Sequence, residues 1–177
     1  RLAYPRPIFL YAGRVAVEKN LEAFLSLDLP GSKLIAGDGP ARASLAVQYP
    51  DAHFLGAHSG EALAAIFASA DAFVFPSLTD TFGVVLLEAL ASGVPVAAFP
   101  VAGPRDVIGN SGAGVLHRDL RTAAAAALAI PRAICRKHAL QFTWRESARQ
   151  FFGNLLRANG LCSGNMGALP EELSSAA

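Results

Sequence analysis

The sequence predicts an α/β domain built on a doubly wound parallel sheet of about six strands. Three observations carry this. Short apolar runs alternate with longer segments of helical period, the pattern of βαβ units. The runs are apolar throughout rather than alternating, as strands buried on both faces are. Most turns hold Gly, Pro or Asp where the chain must reverse, as in Gly37-Asp38-Gly39-Pro40, Ser92-Gly93-Val94-Pro95 and Ala102-Gly103-Pro104. The architecture this describes is Rossmann-like.

Taken in order, strands are expected at residues 8–12, 33–36, 53–55, 72–75, 95–99 and 114–116. Helices are expected at 17–27, 41–48, 60–68, 82–92, a short one near 104–108, and then 120–129, 132–141 and 144–158. The alanine tract at 123–127 is good helix former. Trp144, Phe151 and Phe152 share helical spacing and are expected in the core. From Gly160 the periodicity fades into Gly, Ser and Ala, so residues 1–159 are expected to form the domain and 160–177 a flexible tail.

A chain of 177 residues can bury one sizeable core. Hydrophobic residues make up 53% of it, yet no apolar run reaches the roughly 18 to 20 residues that span a bilayer. The net charge of +1 provides no basic field for a nucleic acid, so an anion site must be local and suited to a small phosphorylated ligand. Cys135 and Cys162 lack CxxC spacing, and neither they nor the four histidines suggest a metal site. With no signal peptide at Arg1, the expected location is the cytoplasm. Tyr4-Pro5-Arg6-Pro7 runs straight into the first strand and reads as a linker at a domain boundary, with a further domain expected upstream.

In a doubly wound sheet, ligands bind beyond the carboxyl ends of the strands. The first such loop, Gly13-Arg14-Val15-Ala16-Val17-Glu18-Lys19-Asn20, can turn Arg14 and Lys19 toward one cleft. A forked guanidinium beside a mobile ammonium suits a diphosphate, although both residues also fit a plain solvated surface. A second segment, from Phe75 through Asp80 to Gly93, is a strand, a polar loop and an apolar helix. Free amides at Phe82, Gly83 and Val84 would form an anion site at that helix start. Glu88 on the same helix calls for a partner such as two ribose hydroxyls, or else is a solvated or ion-paired side chain, and Asp80 has a helix N-cap as its simpler role. Gly37-Asp38-Gly39-Pro40 reads equally as a tight turn and as a ligand contact. His53, His58, His117 and His138 are expected to be structural or on the surface, with His58 the nearest to a ligand-side loop.

The string Thr79-Asp80-Thr81-Phe82-Gly83 through Glu88-Ala89-Leu90-Ala91-Ser92-Gly93-Val94-Pro95-Val96 resembles the signature of the group 1 retaining glycosyltransferases of GT-B fold, in which two acidic residues are separated by seven. Gly13-Arg14 with Glu18-Lys19, Gly37-Asp38-Gly39-Pro40, Phe54-Leu55-Gly56 and the run from Ala70 to Ser77 follow the same order over residues 7–156. The resemblance implies one half of a GT-B enzyme, the half that binds a nucleoside diphosphate sugar. It implies that Arg14 and Lys19 hold the donor diphosphate and that Asp80, where the family more often has Glu, faces the transferred sugar. It further implies that Glu88 accepts from the ribose, that the amides from Phe82 to Val84 and the backbone at Gly13 add contacts, and that the base lies near Phe54 to His58.

No metal and no cofactor beyond the sugar donor is implied. The acceptor would be bound by the enzyme's own N-terminal domain, with peripheral membrane contact through it, in cell-envelope glycan synthesis. Other readings are half of a nucleotide-sugar epimerase, whose acid and base side chains around the sugar are not arranged here, a nucleotide-binding module without transfer chemistry, and a receiver-type domain, whose paired acids after the first strand are missing.

Overall fold

The computed structural model describes residues 3–158, and the expected tail at 160–177 lies outside the described residues. The described chain parts after Leu140 into two units, so the last helix, expected to belong with the rest, falls in a unit of its own.

The first unit is a six-stranded parallel sheet. Its strands are β1 (Ile8–Ala12), β2 (Ser32–Ala36), β3 (Ala52–Gly56), β4 (Ala72–Phe75), β5 (Val96–Ala98) and β6 (Gly114–Leu116). They lie in the order β3-β2-β1-β4-β5-β6. Each expected strand is present, and three have the expected bounds. This order, with its reversal between β1 and β4, is the doubly wound arrangement and not the 2-1-3-4-5 order of receiver-type domains.

Alternation along β1 explains the layers. Ile8, Leu10 and Ala12 point to one face, where they join Phe67 of α3 (Gly60–Ser69), Leu86 and Leu90 of α4 (Val84–Ala91) and Val107 of α5 (Ala102–Ile108). Cys135 of α7 (Arg132–Ala139) closes that layer. Phe9 and Tyr11 point to the other face, against Phe24 of α1 (Glu22–Leu25), Leu45 of α2 (Arg42–Gln48) and the alanines of α6 (Leu120–Ala127). Small alanines let α6 approach the sheet closely, and Asp119 caps it by accepting from the Arg121 amide at 3.0 Å.

The expected helix at 17–27 is a 3-10 turn, Val17–Lys19, followed by the single turn of α1. Asn20 interrupts it with a left-handed backbone, φ 53°, which no helix accommodates. Similarly α4 starts at Val84 rather than Phe82, because Gly83 before it has φ 79°. In the second unit, α8 (Trp144–Ala158) has the expected bounds. Trp144, Phe151 and Phe152 are exposed instead of buried. Their helical spacing makes one side of α8 apolar, and periodicity alone does not say whether such a side is covered. Arg149 and Gln150 bond Glu146 there and hold its carboxyl down to about 2.

Candidate functional site

The reversal of strand order leaves a crevice beyond the carboxyl ends of β1 and β4. The loops that leave these two strands are the ones the sequence singles out. Together they line a cleft of about 470 Å³ with Gly13, Arg14, Glu18 and Lys19 from the first loop, and Asp80, Gly83, Val84 and Val85 from the second. Tyr11 and Phe75, at the strand ends, form its floor.

Every charge in this lining has an opposite within reach. Lys19 Nζ meets Asp80 Oδ1 at 2.6 Å, with both side chains about three-quarters buried. Arg14 Nη1 meets Glu18 Oε1 at 3.7 Å, with both more than half exposed. The first pair is short and screened little by water; the second is long and solvated, and such pairs contribute little. Burial raises the Asp80 carboxyl, but hydrogen bonding from Lys19 and Ser77 and the ammonium charge outweigh it and leave its pKa below the usual carboxylate value. Asp80 Oδ2 and the Ser77 hydroxyl are both buried and, among the described residues, have no hydrogen-bond partner of normal geometry, although the hydroxyl lies close enough to help hold the carboxylate ionised.

Tyr11 is buried, and its phenol is raised far above its ordinary pKa by burial first and then by Asp80 and Glu18. The neutral hydroxyl donates to the Arg14 carbonyl at 2.8 Å and so holds the first loop down on β1. Asn20 Nδ2 donates to the Pro76 carbonyl at 3.1 Å, tying the loop that carries Lys19 to the loop that carries Asp80. Gly37 braces the first loop from the side, since a Cβ there would stand 1.8 Å from the Gly13 carbonyl oxygen. The Val15 amide donates to the Asp38 carbonyl at 2.9 Å in the same brace. The Gly37-Asp38-Gly39-Pro40 turn thus packs against loop backbone. Gly103 does the same for the second loop, where a Cβ would come within 2.8 Å of the Asp80 carbonyl oxygen.

Of the residues expected in a site, Gly13, Arg14, Lys19, Asp80, Gly83 and Val84 are brought together. Among the described residues the amides of Gly83 and Val84 have no backbone acceptor, so the start of α4 points two donors at the cleft. Phe82 sits on the rim, 41% exposed. Glu88 is exposed, outside the cleft lining and one turn beyond Val84, as the solvated alternative expects. His58, exposed after β3, places Nε2 3.1 Å from the Leu55 carbonyl and is also outside the lining. Tyr11, Glu18, Asn20 and Ser77 went unread as site residues. The αL-tolerant Asn20 between two periodic segments carried a local signal; Tyr11, Glu18 and Ser77 make contacts only three or four residues away, with Arg14 and Asp80, but nothing in their spacing says that these loops close on one cleft.

A larger hollow, about 560 Å³, lies at the opposite edge of the sheet, with Arg6, Asp71 and Arg132 in its lining. Its charged groups are already engaged, Arg6 with Asp71 and Arg132 with the Ala70 carbonyl. It is also on the wrong side for a doubly wound sheet, so the smaller cleft is the candidate site. Among the described residues, no group of three His, Cys, Asp or Glu is placed to hold a metal ion. No helix among them is long and apolar enough to cross a membrane.

Fold and cleft together define a doubly wound α/β domain whose cleft, at the reversal of strand order, gathers Arg14, Glu18, Lys19 and Asp80. The family model described as glycosyl transferases group 1 matches residues 6–133, and the chain belongs to that family. It is 43% identical over 113 residues to the GDP-mannose-dependent alpha-mannosyltransferase of Mycolicibacterium smegmatis, a match over 63% of this chain and 30% of that protein. The chain thus spans under a third of that relative's length. Sucrose-phosphate synthase from Thermosynechococcus elongatus superposes with a TM-score of 0.72 at 26% identity, over 87% of this chain and 45% of that one. The lipopolysaccharide outer core galactosyltransferase WaaB gives 0.73 at 20% identity, over 87% and 50%, and shares the fold.

Proposed function

We propose that the cleft binds the nucleoside diphosphate of a sugar donor and that the whole enzyme transfers the glycosyl group to an acceptor hydroxyl with retention of anomeric configuration. One observation supports this above the rest: two cations, two acids and the amides of a helix start, from loops some sixty residues apart, converge at the strand-order reversal of a chain in the group 1 family. In this reading Arg14, Lys19 and the amides of Gly83 and Val84 stabilise the charge that builds on the leaving diphosphate, an arrangement set before reaction. The bond from the sugar's anomeric carbon to the diphosphate oxygen breaks. A bond to the acceptor oxygen forms, and the acceptor's proton passes to the diphosphate. Glu88 would meet the ribose from the outer edge of α4, and the loop after β3, with His58, would lie beside the base. A second domain holds the acceptor.

The resemblance to a GDP-mannose-dependent relative puts guanine and mannose first among the donors to test. Calorimetric titration with GDP, UDP and ADP, then with GDP-mannose and UDP-glucose, is expected to show binding of at least one nucleoside diphosphate. That binding should weaken by roughly tenfold or more in Arg14→Ala, the scale of hydrogen bonds to charged groups. Absence of binding by every nucleotide, or a parent-like affinity in Arg14→Ala at low salt, would overturn the assignment.

A further inference from the structure

Arg14 reaches the cleft from a loop whose backbone is tied down on several sides. The Gly13 amide donates to the Ala36 carbonyl at 3.0 Å, the Val15 amide donates to the Asp38 carbonyl at 2.9 Å, and the Val15 carbonyl accepts from the Ala41 amide at 3.1 Å. These bonds run from main chain to main chain, so a change of side chain does not delete them. The Arg14 carbonyl is held differently: its donor is the Tyr11 hydroxyl, at 2.8 Å. We propose that Tyr11 is a positioning residue for the nucleoside diphosphate, acting through the Arg14–Val15 peptide to fix the place and direction from which the Arg14 side chain leaves the loop. This role rests on the cleft being the donor site.

The argument is geometric. The peptide that joins Arg14 to Val15 is pinned at both ends, its carbonyl by Tyr11 on β1 and its N–H by Asp38 in the turn after β2. A peptide unit is planar, and one that is pinned at a single end can still turn about the soft dihedrals that flank it. The ion pair that the Arg14 side chain makes with Glu18, at 3.7 Å, is long and solvated and resists such a turn little. The direction of Arg14 is therefore inherited from its backbone. Tyr11 offers a firm base for this, since its ring is buried at the end of β1. Gly13 lets the hydroxyl come close beneath the loop, as a Cβ there would stand 3.0 Å from Tyr11 Oη. Burial, with the carboxylates of Asp80 and Glu18, pushes the phenol pKa up and keeps the donated proton in place. A hydroxyl has one proton to give, and this one goes to Arg14. Tyr11 thus lines the cleft without donating to the ligand, and its effect on a diphosphate passes through Arg14.

A double-mutant cycle tests this by calorimetry with pyrophosphate, GDP and UDP, on the parent, Tyr11→Phe, Arg14→Ala and the double variant. Tyr11→Phe removes one oxygen and keeps the packed ring. It is expected to weaken pyrophosphate and the bound nucleoside diphosphate by the same factor, about two- to tenfold, the range of one neutral hydrogen bond. In the Arg14→Ala background the same change should shift either affinity by less than about twofold, because the group it positions is gone. A Tyr11 that merely stabilised the fold would weaken binding by the same factor with Arg14 present or absent. That additivity, or parental affinity in Tyr11→Phe, would refute the positioning role and leave the donor site standing. In the parent itself, the Tyr11 hydroxyl proton should be protected from exchange in NMR spectra, both before and after pyrophosphate is added. A hydroxyl proton that exchanges freely, or that passes to the ligand on titration, would refute the role even if Tyr11→Phe did not fold. Failure of the parent to bind pyrophosphate or any nucleotide would sink the donor site and the positioning role together.

Discussion

Arg14 and Lys19 are five residues apart on one loop, yet they are expected to behave differently when removed. Arg14 is exposed and its bond to Glu18 is long, so Arg14→Ala should weaken diphosphate binding while the melting temperature stays within about a degree of the parent, as surface changes do. Lys19→Ala leaves Asp80 ionised and mostly buried without its cation, and should destabilise the fold by about 1 to 3 kcal/mol besides weakening binding. Thermal denaturation separates the two; equal midpoints would mean that the Lys19–Asp80 pair carries no stability. The pair also imposes a pH dependence. Because the folded state lowers the Asp80 pKa, it binds that proton less tightly than the unfolded chain does. Its contribution to stability is complete above the unfolded value, near 4, and disappears as pH falls through the lower folded value. The difference in melting temperature between the parent and Asp80→Asn should therefore be steady from pH 7 to 5 and shrink below about 4. A difference that stayed constant down to pH 3 would show that Asp80 is not held ionised by the fold.

At the scale of elements, the two loops of the cleft are held by neighbours that have no chemistry of their own. Gly37→Ala would drive a methyl group into the Gly13 carbonyl and should cost about 2 kcal/mol or more, with the diphosphate affinity falling as the loop shifts. Asn20→Gly keeps the left-handed backbone but loses the bond to Pro76; the fold should persist while nucleotide affinity drops about two- to tenfold, the range of one neutral hydrogen bond. Denaturation followed by calorimetry on each variant distinguishes loss of brace from loss of fold, and a Gly37→Ala variant of parental stability and affinity would contradict the packing described.

These contrasts show what the sequence made legible. Strands such as Ala72–Phe75 are continuous apolar runs bounded by Asp71 and Pro76, so their ends are written locally. The joining of Lys19 to Asp80, of Asn20 to Pro76 and of Gly37 to Gly13 is written nowhere locally, because each pairs loops that only the strand order brings together. Periodicity likewise read 17–27 as one helix, since apolar spacing persists through Asn20 and only its backbone breaks the turn. Glu88 was legible only in part: spacing left a ribose partner and a solvated position both open, and only the packed helix shows that Glu88 lies on the exposed side.

For the molecule as a whole, both faces of the sheet are filled and the cleft opens at the one edge where the strand order reverses. All the cleft's lining comes from residues 11–85, within one unit, so nucleotide binding should be a property of this chain by itself. Transfer is a different matter, since holding donor and acceptor together can account for roughly 7 to 11 kcal/mol of a barrier. The chain assayed with GDP-mannose and UDP-glucose against a panel of acceptors should bind without transferring, and efficient transfer by it would contradict the assignment of the acceptor to a second domain. The account's central claim is where the diphosphate sits, and amide chemical-shift mapping of the chain during titration with a nucleoside diphosphate tests it most directly. The largest shifts are expected at Gly13, Arg14, Lys19, Gly83 and Val84, around the Lys19–Asp80 pair. Shifts concentrated instead at the opposite edge, around Arg6, Asp71 and Arg132, would contradict it.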